Sequence, residues 1–120
     1  MRLVIIESPF AGIGDTDEER AASEARHRRY LDRCILDCLR HGESPYASHQ
    51  MLTSALRDSV PAEREIGIKA GFAWRKAAEA TVVYTDHGFS RGMRYGIAHA
   101  EDLARAQPHA IEYREIGAES

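Results

Sequence analysis

Short strand-like segments alternate with longer segments of helical periodicity along this 120-residue chain. Residues Leu3–Ile6 form a continuous apolar run, which is typical of a strand buried on both faces of a sheet. The segment Ala80–Thr85 also predicts a strand, and the alternation within Ala110–Ile116 predicts an edge strand. Residues Glu43–Gln50 are shorter and more polar, and they favour a brief second strand followed by a loop.

Three segments between these strands have the spacing or the end signals of helices. The first begins at residues 15–17 and ends at residues 40–42, the second spans 61–78, and the third spans 90–106. The second helix has an apolar face formed by Ile66, Ala70, Ala73, Trp74 and Ala77. It also contains Gly67 and Gly71, which lie about one turn apart and predict that another helix or the sheet packs closely there.

The resulting order of elements is β-α-β-α-β-α-β, and the length predicts a single domain spanning residues 1–120. This order favours an α/β fold: a small, doubly wound parallel sheet of about four strands, Rossmann-like or flavodoxin-like, with helices on both faces. In such sheets ligands bind beyond the carboxyl ends of the strands. The loops after the first three strands are therefore expected to border one crevice.

Composition narrows the classes of partner. With 16 basic and 19 acidic residues and no basic cluster, the chain is not expected to bind a polynucleotide. Its first apolar run is too short for a signal peptide or a membrane span, so a cytoplasmic protein without a membrane partner is expected. Cys34 and Cys38 are interpreted as buried reduced thiols, and neither a metal nor a cofactor is predicted.

The three crevice loops supply candidate ligand-binding groups, each with a structural alternative. His49 and Asp86 are candidate catalytic groups. A hydrogen-bonded structural histidine is the commoner case for His49, and a turn-forming role explains Asp86 as simply as a catalytic one. Phe10 could stack on a base or cover the sheet edge. Ser90 opens a helix whose free N–H groups suit a phosphate, although serine is also a common helix cap. Ser48 contributes a further hydroxyl to the second loop.

The order and spacing of these loops resemble the nucleoside 2-deoxyribosyltransferase-like superfamily, and more closely a branch found largely in actinobacteria and their phages. The segments that carry the resemblance are Glu7–Gly12, Pro45–His49, Ala80–Asp86 and Ser90–Met93, so it covers nearly the whole chain. The resemblance implies binding of a nucleoside or nucleotide, cleavage or exchange of an N-glycosidic bond, and assembly into a homo-oligomer. In that superfamily a glutamate in the helix after the third strand attacks the anomeric carbon.

The resemblance places this nucleophile at position 94 or 96, where the chain has Arg94 and Gly96. Neither residue can attack an anomeric carbon, so the usual nucleophile is absent, and Asp86 or Glu7 is the candidate replacement with His49 as the acid. The ligand-binding groups implied by the resemblance remain, and Arg94 would add a fork-shaped phosphate partner: Ser8, Phe10, Gly12, Ser90, Gly92, Met93 and Arg94.

Three functions follow from this combination. The protein could be a nucleotide N-glycosidase or deoxyribosyltransferase that uses a non-standard carboxylate. It could instead bind a nucleotide or a nucleotide signal without cleaving it. In the third, the crevice is vestigial and the protein is an assembly component, with Phe72 and Trp74 at a subunit interface.

Overall fold

A computed structural model describes residues 1–52, 54–57 and 59–117 of the chain. Within these ranges it contains β1 (Arg2–Glu7), α1 (Asp17–Arg40), β2 (Glu43–Tyr46), α2 (Ser48–Met51), α3 (Pro61–Ala77), β3 (Ala80–Tyr84), α4 (Arg91–Ala106) and β4 (Ala110–Arg114). The predicted alternation of strands and helices is confirmed. The short helix α2 is the exception, because a loop was predicted in its place.

The four strands form one sheet in the order β2-β1-β3-β4, and every neighbouring pair is parallel. The chain therefore leaves β1 toward one edge of the sheet and leaves β3 toward the other. This arrangement confirms the predicted small doubly wound α/β fold, with β4 as an edge strand. Among the helices of the described ranges, none is long and apolar enough to cross a membrane.

The two faces of the sheet bury different side chains. Val4 and Ile6 of β1 and Val82 of β3 pack with residues of α1, including Cys34 and Cys38, which are buried free thiols as predicted. The opposite face carries the alternate residues of β1 and β3 and is covered by α3 and α4. Glu7 lies on this second face, because its carboxylate binds the Arg75 side chain of α3 and lies against Gly96 of α4.

The helix ends follow the predicted signals. The Thr16 hydroxyl accepts a hydrogen bond from the Glu19 amide and caps α1, and Gly42 has a positive φ of 74° just beyond the end of that helix. The Ser90 hydroxyl accepts from the Met93 amide and caps α4. Local chemistry therefore fixes where these two helices begin.

The two glycines of α3 allow residues that precede this helix in the sequence to pack closely against it. A Cβ at Gly71 would lie 3.1 Å from Ser48 Oγ, and one at Gly67 would lie 2.9 Å from the Leu56 side chain. The prediction of close packing at these glycines is confirmed.

In an ordinary amphipathic helix the apolar face packs on the core. In α3, several residues of the predicted apolar face are instead exposed. Ile66 is 60% exposed and Trp74 is 51% exposed, whereas Gly71 and Arg75 are buried against the sheet. The physical reason is that the buried face is selected by the glycine contacts and by an ion pair of Arg75, not by apolar side chains.

Candidate functional site

The predicted crevice corresponds to the carboxyl ends of β1 and β3, which are neighbours whose following connections run in opposite directions. β1 ends at Glu7 and is followed directly by Ser8. The loop after β2 reaches this point, because Ser8 Oγ lies 3.0 Å from His49 Nε2. Two of the three predicted loops are therefore in direct contact at the end of β1.

Glu7 is a buried carboxylate at this end of the sheet. Its Oε2 accepts a hydrogen bond of 2.5 Å from Nη2 of the buried Arg75. A Cβ added at Gly96 would lie within 2.5 Å of both Glu7 carboxyl oxygens. Burial raises the pKa of Glu7, and the charge and hydrogen bond of Arg75 oppose that rise. The carboxylate thus occupies the space that a side chain at position 96 would need.

Arg75 uses each of its guanidinium nitrogens for a different element of the fold. Nη2 donates to Glu7 of β1, Nη1 donates to Thr81 Oγ1 of β3 at 2.8 Å, and Nε donates to His99 Nδ1 of α4 at 3.0 Å. Thr81 is fully buried. A guanidinium that is hydrogen-bonded at all three nitrogens at this depth is consistent with the rule that buried charges are paired and hydrogen-bonded.

The two histidines of this network are held in their neutral forms. His99 accepts from Arg75 at Nδ1, so its proton lies on Nε2, and burial followed by the charge of Arg75 lowers its pKa. His109 Nδ1 lies 3.2 Å from the Ala78 carbonyl and its Nε2 lies 2.7 Å from Thr81 Oγ1. The carbonyl can only accept, so Nδ1 carries the proton and Nε2 accepts from the Thr81 hydroxyl.

His49 joins Ser8 to an aromatic side chain. Its ring lies edge-on to Phe10 with centroids 5.5 Å apart, and the guanidinium of Arg28 lies 5.3 Å from the centre of the Phe10 ring. Burial lowers the pKa of His49 to about 4, and the charge of Arg75 adds to this effect. At neutral pH the imidazole is therefore uncharged, so it lacks the extra proton that the predicted acid would donate, and it is a weaker base than an ordinary histidine.

Asp86 is occupied by contacts that hold the chain after β4. It accepts hydrogen bonds from the Tyr30 hydroxyl at 2.6 Å and from the backbone amides of Ile116 and Gly117 at 3.0 and 2.9 Å. Burial alone would raise its pKa, but these hydrogen bonds lower the pKa of Asp86 overall. This environment is that of a structural anchor between α1, β3 and the end of β4.

The remaining predicted residues of the third loop lie at the start of α4. Met93 is buried, and its sulfur accepts from the Ser90 amide at 3.5 Å. Gly92 is open, since a Cβ there would have nothing within 4 Å. Arg94 lies 5.8 Å from the Phe89 ring and lines a surface groove with Ile97 and Tyr113. Arg94 therefore lies on the β4 side of α4, whereas Glu7 faces Gly96 and α3.

Gly12 and Ser48 have clear packing roles. A Cβ at Gly12 would lie within 2.9 Å of the backbone carbonyl of Arg20, so glycine lets the first loop lie directly on α1. The Ser23 hydroxyl bonds to both backbone groups of Ile13 in the same loop. Ser48 packs against Gly71, as described above.

The Arg75 network is the part of the site that sequence reasoning missed. Its signal is present in the sequence, because Gly67, Gly71 and Arg75 recur every fourth residue and so share one face of α3. A charged residue in line with two packing glycines indicates a buried charge. The partner Glu7 could not be identified this way, since it is distant in sequence.

Within the described ranges no group of His, Cys, Asp and Glu residues could hold a metal ion.

Comparison with known proteins identifies the family. No curated protein and no solved structure matches the chain. Residues 2–109 match a family described as a domain of unknown function, DUF7768. Since this match covers most of the 120 residues, the chain belongs to the DUF7768 family.

Proposed function

We propose that this protein binds a nucleoside or nucleotide at the carboxyl ends of β1 and β3 and cleaves or exchanges its N-glycosidic bond with Glu7 as the carboxylate. The observation that carries the proposal is the position of the Glu7 carboxylate against Gly96. The resemblance to nucleoside 2-deoxyribosyltransferase-like proteins expects a glutamate at position 94 or 96. A carboxylate from β1 reaches the same space from the opposite wall of the crevice.

The proposed reaction has two steps. Glu7 Oε1 attacks the anomeric carbon while the bond to the base breaks, and the base leaves with the bonding electrons and takes a proton from solvent. Water then attacks the anomeric carbon of the glycosyl ester, which releases the Glu7 carboxylate. The proton of that water passes to solvent, while the uncharged His49 accepts a hydrogen bond from the water and orients it. The Glu7 side chain is 10% exposed, and its Oε2 bonds to Arg75, so the proposal assigns the attack to Oε1.

Binding of the base is assigned to the first two loops. Phe10, which is half-buried beside His49, offers an aromatic surface next to the Ser8 hydroxyl. The amides at the start of α4, near the open position Gly92, are oriented to receive the phosphate of a nucleotide. These assignments extend the proposal to the ligand but are separate from the role of Glu7.

The alternative function is binding without cleavage. It is favoured by one observation: the ion pair with Arg75 gives Glu7 a structural role that does not require chemistry. In this alternative the crevice holds an intact nucleotide or nucleotide signal, and the family nucleophile is simply lost.

One experiment separates these functions. The purified protein is incubated with the four deoxynucleosides and their 5′-monophosphates, and free base and protein-bound ligand are quantified by mass spectrometry. Base release that is lost in Glu7→Gln but kept in Glu101→Gln, an exposed control on α4, supports the enzyme. Recovery of only intact bound ligand supports the receptor. If nothing binds and nothing is cleaved, both proposals are wrong. Circular dichroism checks that each variant is folded.

We also propose that a second copy of the chain covers the exposed face of α3. Trp74 stacks on Tyr46 with ring centroids 4.7 Å apart, and together with Leu3 and Pro45 they line a groove of about 180 Å³. Ile66 on the same helix is also exposed, and exposed apolar side chains beside a groove are typical of an interface. Light scattering should give a mass above 13.4 kDa that falls to the monomer value in Trp74→Ser. A monomeric wild-type protein would refute the assembly.

A further inference from the structure

We infer that Arg75 is a positioning residue that holds the Glu7 carboxylate ionised and oriented against Gly96. This inference rests on the function proposed above, because it assigns Arg75 a task in that reaction. Arg75 does not touch the crevice surface itself, since its side chain is only 4% exposed. It acts through Glu7, the one residue of the pair that reaches the reacting atoms.

The first support is the geometry of the guanidinium group. Its donors lie in one rigid plane, so three bonds to three different elements fix its rotation as well as its place. The bonds to Thr81 on β3 and His99 on α4 leave Nη2 directed at Glu7 on β1. The carboxylate therefore meets a donor whose direction is set by the fold and not by the carboxylate.

The second support is that the two anchors of Arg75 are themselves held. The His99 ring stacks on Phe72 with centroids 3.7 Å apart and an interplanar angle of 5°. The Thr81 hydroxyl is bound by His109, whose other ring nitrogen is fixed by the Ala78 carbonyl. A movement of the Arg75 guanidinium would disturb both sets of contacts. Such a supporting layer is what a positioned carboxylate requires.

The third support is electrostatic. Glu7 is buried, which favours its neutral form, and an uncharged carboxyl group is a poor nucleophile. Arg75 faces it from α3 and His99 faces Arg75 from α4, and the charge of Arg75 also acts on His49. The charges next to His99 are Lys76 and Asp102, and His109 also acts on it. Within this set, Arg75 is the cation in direct contact with Glu7.

The test measures the titration of Glu7 directly, by carbon-13 NMR of its carboxyl group, alongside the pH profile of base release from deoxyadenosine 5′-monophosphate. The variant is Arg75→Lys, which keeps the charge but cannot make three bonds in one plane. The matched control is Lys76→Arg, which changes the exposed neighbouring cation. In the wild-type protein, the Arg75 Nε resonance is expected to shift with the same midpoint as the Glu7 carboxyl.

In Arg75→Lys the Glu7 midpoint and the acid limb of base release are both expected to move up by about one pH unit. The kcat should fall on the order of tenfold with little change in KM, because orientation and not binding is lost. An unchanged Glu7 midpoint in folded Arg75→Lys would overturn the inference. If this variant does not fold, the wild-type protein supplies the test. The inference is then overturned if the Arg75 Nε resonance does not shift with the midpoint of the Glu7 carboxyl resonance. A shifted midpoint without any wild-type base release would refute the proposed activity and leave the positioning role standing.

Discussion

The contact between Gly96 and Glu7 yields the sharpest stability prediction. In Gly96→Ala the new methyl carbon would lie within 2.5 Å of both Glu7 carboxyl oxygens, against a normal separation of about 3.5 Å or more. The carboxylate cannot simply rotate away, because Arg75 binds it in a buried site. Either α4 moves outward or the ion pair is broken.

The magnitude follows from opposing contributions. Alanine in place of glycine inside a helix stabilises by about 1 kcal/mol. Overpacking destabilises by about 1 to 3 kcal/mol, and breaking a buried ion pair by about 3 to 5 kcal/mol. The net loss is about 0 to 2 kcal/mol if α4 moves and about 2 to 4 kcal/mol if the ion pair breaks. We expect Gly96→Ala to lower the free energy of unfolding by about 2 kcal/mol, where the two ranges meet, and the Tm by roughly 5 to 10 °C for a chain of this size.

The assay is urea unfolding followed by far-ultraviolet circular dichroism. The matched control is Gly92→Ala on the same helix, where an added Cβ meets nothing within 4 Å, and which should change stability by no more than about 1 kcal/mol. In a Glu7→Ala background, Gly96→Ala should become neutral or stabilising, since its clash partner is gone. The reasoning fails if Gly96→Ala is as well tolerated as Gly92→Ala in the wild-type background.

Three further predictions concern the groups around the crevice. In the folded protein the pKa of His49 is lowered to about 4, so below about pH 6.5 the unfolded chain binds a proton at this residue that the folded chain does not. Acidification from pH 7.5 to 4.5 should therefore lower the free energy of unfolding by at most about 3 kcal/mol through this residue. Urea titrations should show a smaller loss in His49→Gln and an unchanged loss in the exposed control His41→Gln; equal losses in all three proteins would contradict the assignment. Asp86→Asn should destabilise by about 1 to 3 kcal/mol and speed amide exchange after β4, whereas unchanged exchange there would show that the carboxylate is not an anchor. Gly12→Ala should lower the Tm through a clash with α1 worth about 1 to 3 kcal/mol, and an unchanged Tm would refute the close approach.

Local signals predicted the framework of this fold. Caps such as Thr16 and Ser90 and the apolar run at the start of the chain act over a few residues, so a single sequence contains all the information needed. The parallel sheet followed from the alternation of elements. Helix α2 was missed because it is a single turn without a side-chain cap.

The orientation of α3 could not be predicted in the same way. Its apolar residues define a face by spacing, but Arg75 and the two glycines decide which face is buried. That decision depends on Glu7, which is 68 residues away in the sequence. Single-sequence periodicity describes which residues share a face and contains nothing about the partner that will meet that face.

The same limit applies to the nucleophile that the resemblance predicts. At position 96 the sequence shows glycine, and under that resemblance the proposed site would have lost its carboxylate. In the fold, that glycine leaves the space that the Glu7 carboxylate occupies, so the two residues form a matched pair: a glutamate at 96 would require the side chain at 7 to be small. Because a buried carboxylate beside arginine is hard to stabilise without further contacts, the surrounding histidines and Thr81 belong to the same arrangement. The absence of a residue type at one position therefore does not settle whether its chemical group is absent from the site, since a neighbouring strand can supply that group.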